Sequence, residues 1–214
     1  MPLLSLNSPD SSFYSRPTEV VARKLLGKIL VRLLTNTMGQ LTRISGIIVE
    51  TEAYGFKDDP ASHAYKGLTL RNNAMFGGTG RAYIYFTYGN HFCVNVTARS
   101  HEIKAGAVLI RALQPLEGID LMKRFRRTDD LLSLTSGPGK VTQALNITKV
   151  FNEVDMTDIK SKLHIEIGID VFDTVATGRI GITRALGKTW RFVVGNSDTT
   201  GYLNKYASGK QTKV

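Results

Sequence analysis

A single cysteine, Cys93, among 214 residues leaves no partner for an internal disulfide, which suits a reducing compartment. Histidine is scarce as well. His63, His91, His101 and His164 are scattered and, with Cys93, form no metal-ligand spacing, so no metal is expected. No stretch approaches eighteen apolar residues, which excludes a membrane-spanning helix. Met1-Pro2-Leu3-Leu4-Ser5-Leu6 lacks the basic run and long apolar stretch of a signal peptide. Ser136-Gly137-Pro138-Gly139-Lys140 is not a Walker loop, because the Gly-x4-Gly-Lys-[Ser/Thr] spacing is missing. Acid is also short. Against 28 Lys+Arg stand 18 Asp+Glu, a formal charge of +10 with a pI near 9.8. A solvated surface can carry that excess alone, but the favoured partner is a polyanion. Nucleic acid comes before a membrane surface, since no basic amphipathic helix is evident. The expectation is a soluble, cytoplasmic protein.

What is present describes an ordinary globular chain, 42% hydrophobic and 21% charged. There is neither repeat nor linker, so residues 1–214 read as one α+β domain, with 1–16 an extended lead-in and 205–214 a flexible basic tail. Residues 17–27 read as a short helix with Pro17 in its first turn, Glu19 at its positive end and Gly27 beyond its end. Residues 28–34 read as a strand, 36–39 as a turn, and Gly46 as a bulge leading into a second strand. The segment 55–80 is irregular, and a loop that long in a compact domain is usually functional. Residues 83–97 read as a hairpin and 106–113 as a buried strand ended by Pro115. A helix follows over 116–125, and a turn and short helix over 136–145. Further strands are expected at 164–171, 179–182 and 191–194.

The informative stretch is 47–95. In a strand through Val49-Glu50-Thr51-Glu52-Ala53-Tyr54, side-chain alternation puts Glu50, Glu52 and Tyr54 on one face. Four of the eight tyrosines (Tyr54, Tyr83, Tyr85, Tyr88) lie in or beside the strands at its two ends. A carboxylate beside aromatics suits a site that stacks a flat ligand and does acid or base chemistry on it. Against this, an isolated strand glutamate is more often a solvent-facing acid, as Glu50 is expected to be, and a lone loop histidine such as His63 is more often a surface residue. Arg111, inside an apolar run, needs either an internal acid or a ligand. A two-residue turn at Gly89-Asn90 turns Asn95 away from Tyr85. An odd, three-residue connection at 89–91 sets Tyr85 opposite Asn95 on one face, as a shared polar pocket requires. Tyr88 at the tip reads as packing against a neighbouring loop or as a wedge between base pairs. The basic run 123–127 reads as a solvated helix end.

Several motifs, in order, resemble the alkyladenine (3-methyladenine, methylpurine) DNA glycosylase family. They are Ala22-Arg23-Lys24-Leu25-Leu26-Gly27, Val49-Glu50-Thr51-Glu52-Ala53-Tyr54, Ser62-His63-Ala64, Arg71-Asn72-Asn73-Ala74-Met75-Phe76 and Tyr83-Ile84-Tyr85-Phe86-Thr87-Tyr88-Gly89. They continue in Phe92-Cys93-Val94-Asn95, Val108-Leu109-Ile110-Arg111-Ala112-Leu113-Gln114-Pro115 and Thr135-Ser136-Gly137-Pro138-Gly139-Lys140. The resemblance implies a curved antiparallel sheet flanked by helices, with a protruding hairpin that enters DNA. It matches Glu52 to the residue that activates water and Arg111 to the arginine beside that base and the lesion phosphate. Tyr54 and Tyr85 match the aromatics that sandwich the flipped base, and His63 a pocket residue against it. Asn95 matches the residue that screens out the guanine amino group, Tyr83 a supporting aromatic, and Tyr88 the side chain that fills the gap in the duplex. The chain departs from some relatives at Asn90 and His91, where their tips are more apolar, and it lacks the long N-terminal extension of animal members. A bacterial-type, nucleoid-associated monomer is expected. It acts on duplex DNA holding a methylated, deaminated or etheno purine, is monofunctional because no lysine is placed as a nucleophile, and needs no cofactor. The rivals are a non-catalytic nucleic-acid-binding module on the same basic sheet, a lyase using the Pro2 amine, and a small-molecule nucleoside hydrolase.

Overall fold

The strand that carries Glu52 is the second half of a longer one. In the computed structural model, which describes residues 7–35, 38–87, 89 and 91–195, β2 (Leu41–Tyr54) is the spine of an eight-stranded antiparallel sheet. One edge of β2 is shared. β1 (Ile29–Thr35) pairs with its first half, and β8 (Arg191–Val194) takes over at Glu50, Thr51 and Glu52. β5 (Ala107–Glu117) pairs along the other edge. Beyond β5 lie β4 (His91–Thr97) and β3 (Ala82–Thr87), beyond β1 lies β6 (Leu163–Glu166), and β7 (Thr174–Thr177) pairs with β8. A strand that changes partner along one edge forces the sheet to curl, so the expected curved antiparallel sheet of one α+β domain is what the chain forms. The bulge expected at Gly46 is there, as a register shift between Ser45 and Gly46. A Cβ on Gly46 would lie 2.9 Å from the Gln114 carbonyl oxygen, closer than side chains tolerate.

Helices cover the sheet. α2 (Thr18–Lys24) starts after Pro17, which caps it from outside, with Glu19 in its first turn and Arg23 and Lys24 in its last, each opposing the helix dipole. Thr51 Oγ1 donates to the Ala22 carbonyl at 2.8 Å and ties α2 to β2. α4 (Ile119–Arg126) and α5 (Pro138–Ala144) pack against each other and share one apolar core with α2. Helices this short do not persist alone in water. Their stability comes from the core they cover, which includes Leu25, Leu30, Ile48, Ile84, Val94, Ile110, Leu113 and Val141, all fully buried. The basic run is partly tied down, since Arg126 Nε donates to the Leu134 carbonyl at 3.2 Å. No helix among the described residues is long and apolar enough to cross a membrane.

Four local expectations are corrected. The lead-in is not wholly extended: α1 (Ser11–Tyr14) is capped by the Asp10 carboxylate on the Phe13 N–H, and Tyr14 is fully buried beneath it. One buried aromatic anchors a segment whose polar spelling hides it. β5 runs through Pro115 to Glu117, because β4 pairs only with residues 107–109 and no ladder bond from the Pro115 nitrogen is lost on that side. The alternation over 164–171 ends as a strand at Glu166, because β1 offers partners only from Ile29 to Arg32. Residues 179–182 are not a strand, and the strand of that region is the polar, largely exposed β7. Residues 1–6, with Pro2, and the 205–214 tail lie outside the described residues.

An ionic cluster joins β1's neighbours. Arg43 Nη1 and Nη2 each donate at 2.7 Å to Glu166, and His164 Nε2 lies 2.9 Å from the same carboxylate. Burial alone would raise the Glu166 pKa from its ordinary 4.5, but these hydrogen bonds outweigh it and bring it to about 2. A depressed folded pKa contributes stability above the unfolded value that is lost as pH falls towards the folded one. Urea midpoints are therefore expected to fall between about pH 4.5 and 2, and Arg43→Met is expected to flatten that part of the profile. Equal slopes in both proteins would show that Glu166 does not carry it.

Candidate active site

Two offset bulges bring the charges together. Ile48 pairs with Leu113 and Glu50 with Ala112, leaving Val49 extra in β2. Thr51 then pairs with Ile110, leaving Arg111 extra in β5. A bulge re-aims the residue it leaves unpaired. Arg111 Nε lies 2.9 Å from Glu50 Oε1 and Nη1 lies 3.1 Å from Glu52 Oε2. Of the two readings open for Arg111, the internal salt bridge is present, and the guanidinium also lines the pocket described below. Burial would lower the Arg111 pKa, but Glu52 and then Glu50 outweigh it and hold the guanidinium charged. Glu50 is not solvent-facing. It is buried, because β8 brings Arg191 Nε to 2.8 Å from its Oε1.

Glu52 is fully buried, and three donors converge on it. Tyr54 Oη donates to Oε2 at 2.8 Å, Arg111 Nη1 donates to the same oxygen, and the Ile180 backbone N–H donates to Oε1 at 2.7 Å. A carboxylate offers about four lone-pair sites, so about one remains, on Oε1. Burial, followed by the Glu52 charge and hydrogen bond, pushes the Tyr54 phenol far above its ordinary pKa, so it stays a donor.

Ile180 is placed by its neighbour. Arg179 and Asp59 are both wholly inaccessible as side chains and pair through two bonds of 2.7 and 2.6 Å. Arg179 also donates to the Ala53 carbonyl at 2.8 Å and stacks 4.7 Å from the Tyr54 ring centroid. The Asp59 carboxylate accepts from the Gly55 and Ala61 N–H groups as well. One ion pair thus joins the loop that bears His63 to the loop that bears Ile180 and backs Tyr54. Sequence reasoning missed Asp59, Arg179, Ile180 and Arg191. The available signal was Arg191 within Trp190-Arg191-Phe192-Val193-Val194, a charge inside an apolar run as at Arg111.

The aromatic wall stands on the hairpin. Three residues, 88–90, connect β3 to β4, so Tyr83 pairs with Asn95, Tyr85 with Cys93 and Thr87 with His91. The odd connection holds, and with it the shared face of Tyr85 and Asn95. It sits one residue earlier than expected, so Asn95 lies opposite Tyr83 and donates to the Tyr83 carbonyl at 2.9 Å. His63, exposed at the rim, sets Nδ1 2.9 Å from Tyr83 Oη and its ring 4.6 Å from Tyr85, edge to face. Burial of that side of the ring, then the charge of Arg71, lowers the His63 pKa. Burial pushes the Tyr83 phenol up to about 12. Asn72 orders the His63 loop: its amide donates to the His63 and Gly67 carbonyls at 2.8 and 2.9 Å.

These side chains line a pocket of about 240 Å³, whose walls include Tyr54, His63, Tyr83, Tyr85, Asn95 and Arg111, with Ile180 and Gly181 on the facing loop. Glu52 sits behind the wall, reached through Tyr54, Arg111 and Ile180. Three small residues, Ala61, Ala107 and Gly139, are also among the pocket's lining. The apolar cluster under the wall contains Ala64, Ala74, Ala105 and Ala107. His91 is a further lining residue, packed so close to Gly139 that a Cβ there would lie 3.0 Å from its ring. Thus six predicted residues meet at one cavity with Glu52 at its back, while Tyr88 lies outside the described residues.

The family model described as methylpurine-DNA glycosylase matches residues 12–198. Three curated proteins, each named "Putative 3-methyladenine DNA glycosylase", are similar along most of their length. The one from Methanoculleus marisnigri is 44% identical over 87% of this chain and 95% of its own. The one from Carboxydothermus hydrogenoformans is 44% identical over 92% and 97%, and the one from Chlorobaculum parvum is 45% identical over 85% and 84%.

Proposed function

Because the chain belongs to the methylpurine-DNA glycosylase family, we propose that this hydrolase cleaves the bond between a damaged purine and its deoxyribose with a water activated by Glu52. The observation that carries the reading is a wholly buried carboxylate, held by three donors with about one acceptor site left, against a pocket walled by Tyr54 and Tyr85.

An enzyme that acts on one base of a duplex takes it out of the stack, at roughly a few kcal/mol. The chain's net charge of +10 offsets part of that by drawing the phosphate backbone in. Tyr88 is the side chain proposed to fill the gap, and Tyr54, Tyr85 and His63 to stack on the extruded purine. Asn95 is the side chain proposed to screen out guanine through its 2-amino group. As the C1′–N9 bond breaks, its electron pair goes to the purine and positive charge grows on the sugar, which the Glu52 carboxylate stabilises. Water oxygen bonds to C1′ and its proton passes to Glu52, leaving an abasic site. Arg111 holds the carboxylate and, beside the pocket, suits the lesion phosphate. No lysine in this scheme attacks the sugar, so the reaction is a simple hydrolysis. The reading includes a monomer working in the cytoplasm, where DNA lies.

The test uses duplex oligonucleotides with one hypoxanthine or one ethenoadenine, and alkylated DNA carrying 7-methylguanine. The expected result is strand breakage at the lesion only after alkali. Breaks without alkali, or a DNA adduct trapped by borohydride, would point to a lyase. Tight duplex binding with no base released would leave a binding module.

A further inference from the structure

Four guanidinium groups stand around Glu52 and the pocket, and three are matched by acids. Arg111 pairs with Glu50 and Glu52, Arg191 with Glu50, and Arg179 with Asp59. Arg71 differs. It has no carboxylate partner among the described residues; Nη2 donates to the Phe86 carbonyl at 3.3 Å, and the guanidinium carbon lies 5.6 Å from the centroid of the Tyr85 ring. Four cations against Glu50, Glu52 and Asp59 leave about one positive charge in excess, on the Tyr85 side of the pocket. Its field reaches inside: Arg71 pulls down the His63 pKa after burial, and pulls the Tyr83 pKa down against burial.

Resting on the reading given under Proposed function, we infer that Arg71 biases this site towards neutral purine lesions, such as deaminated or etheno purines, and away from cationic N3- or N7-alkyl purines. The charge balance of the reaction gives the reason. A cationic alkylpurine enters the pocket positively charged and leaves neutral, because the electron pair of the C1′–N9 bond quenches its charge. A neutral lesion enters uncharged and takes the same pair as negative charge, until the proton that Glu52 took from the attacking water is returned to it through solvent. An unmatched guanidinium at the Tyr85 ring raises the energy of the first bound base and lowers that of the second departing one. It also occupies the π cloud of Tyr85, which then offers less to a second cation.

The experiment compares kcat/KM, measured below saturation, for release of hypoxanthine and of 7-methylguanine from matched duplexes, using wild type, Arg71→Met, Arg71→Lys and Arg71→Glu. Two unit charges about 6 Å apart, partly screened at an exposed site, set the expected size. Arg71→Met should lower the hypoxanthine-to-methylguanine rate ratio by about three- to tenfold. Arg71→Glu should lower it further, and Arg71→Lys should keep it near wild type. A loss of DNA affinity or folding slows both lesions and cancels in the ratio. If the three variants leave the ratio unchanged, Arg71 is a backbone or structural contact and the inference is wrong. If wild type releases neither base, the parent reading has failed and this inference falls with it.

Discussion

Glutamine in place of Glu52 is expected to leave a folded protein whose base release is slower by about a hundred- to ten-thousandfold, the range spanned by removal of a positioned general base. The substitution keeps the size of the side chain and removes its charge. Three donors meet the carboxylate, from Tyr54, Arg111 and Ile180. An amide has one oxygen, so in either orientation its NH2 faces at least one of them. That mismatch is expected to cost about 1–3 kcal/mol of stability, and a modest fall in the melting temperature should accompany the loss of rate. Arg111 keeps Glu50 at 2.9 Å and is not left alone. Because positive charge grows on the sugar whether the lesion is neutral or cationic, hypoxanthine and 7-methylguanine should both be affected. Duplex affinity should change little. Wild-type rates from a folded Glu52→Gln enzyme would place the base elsewhere. Tyr54→Phe removes one donor and keeps the stacking ring, so its effect should be far smaller.

The second large effect is on folding. Asp59→Asn strips the countercharge from Arg179, whose side chain is inaccessible to solvent. Breaking such a buried pair typically costs about 3–5 kcal/mol, which for a chain of this size lowers the melting temperature by roughly 10 °C. Arg179→Met should cost less, because Asp59 retains the Gly55 and Ala61 N–H donors. The double variant, Asp59→Asn with Arg179→Met, should be more stable than Asp59→Asn alone, since the unpaired buried charge is gone. Residual activity in the double variant should stay low, because the pair holds Ile180 on Glu52 and backs Tyr54. Additive losses measured by denaturant unfolding would show that the two residues are not energetically coupled.

The residues that make the site were legible for different reasons. Glu52 and Tyr54 share a face because strand alternation is local, and it survives the bulges nearby. Tyr85 and Asn95 share a face because any odd connection preserves parity, even though the turn falls one residue earlier than expected. His63 had no local signal beyond its motif. Its place depends on Asn72 and on Tyr83, nine and twenty residues away. Glu50 was misjudged for the same kind of reason, since the arginines that bury it come from β5 and β8.

By itself, the sequence determined an α+β chain without disulfide or spanning helix, an excess of basic charge, and an ordered set of motifs that names the family. These are properties of composition, period and spacing, which local chemistry dictates. Only the tertiary structure decided which charges meet. It made Arg111 the extra residue of a bulge and so turned it onto Glu50 and Glu52. It brought Arg179 onto Asp59 across 120 residues, and it left Arg71 without an acid among the described residues. A buried charge is stable only beside its opposite, and strand registers and loop crossings, set by the packing of the whole sheet, determine where that opposite lies.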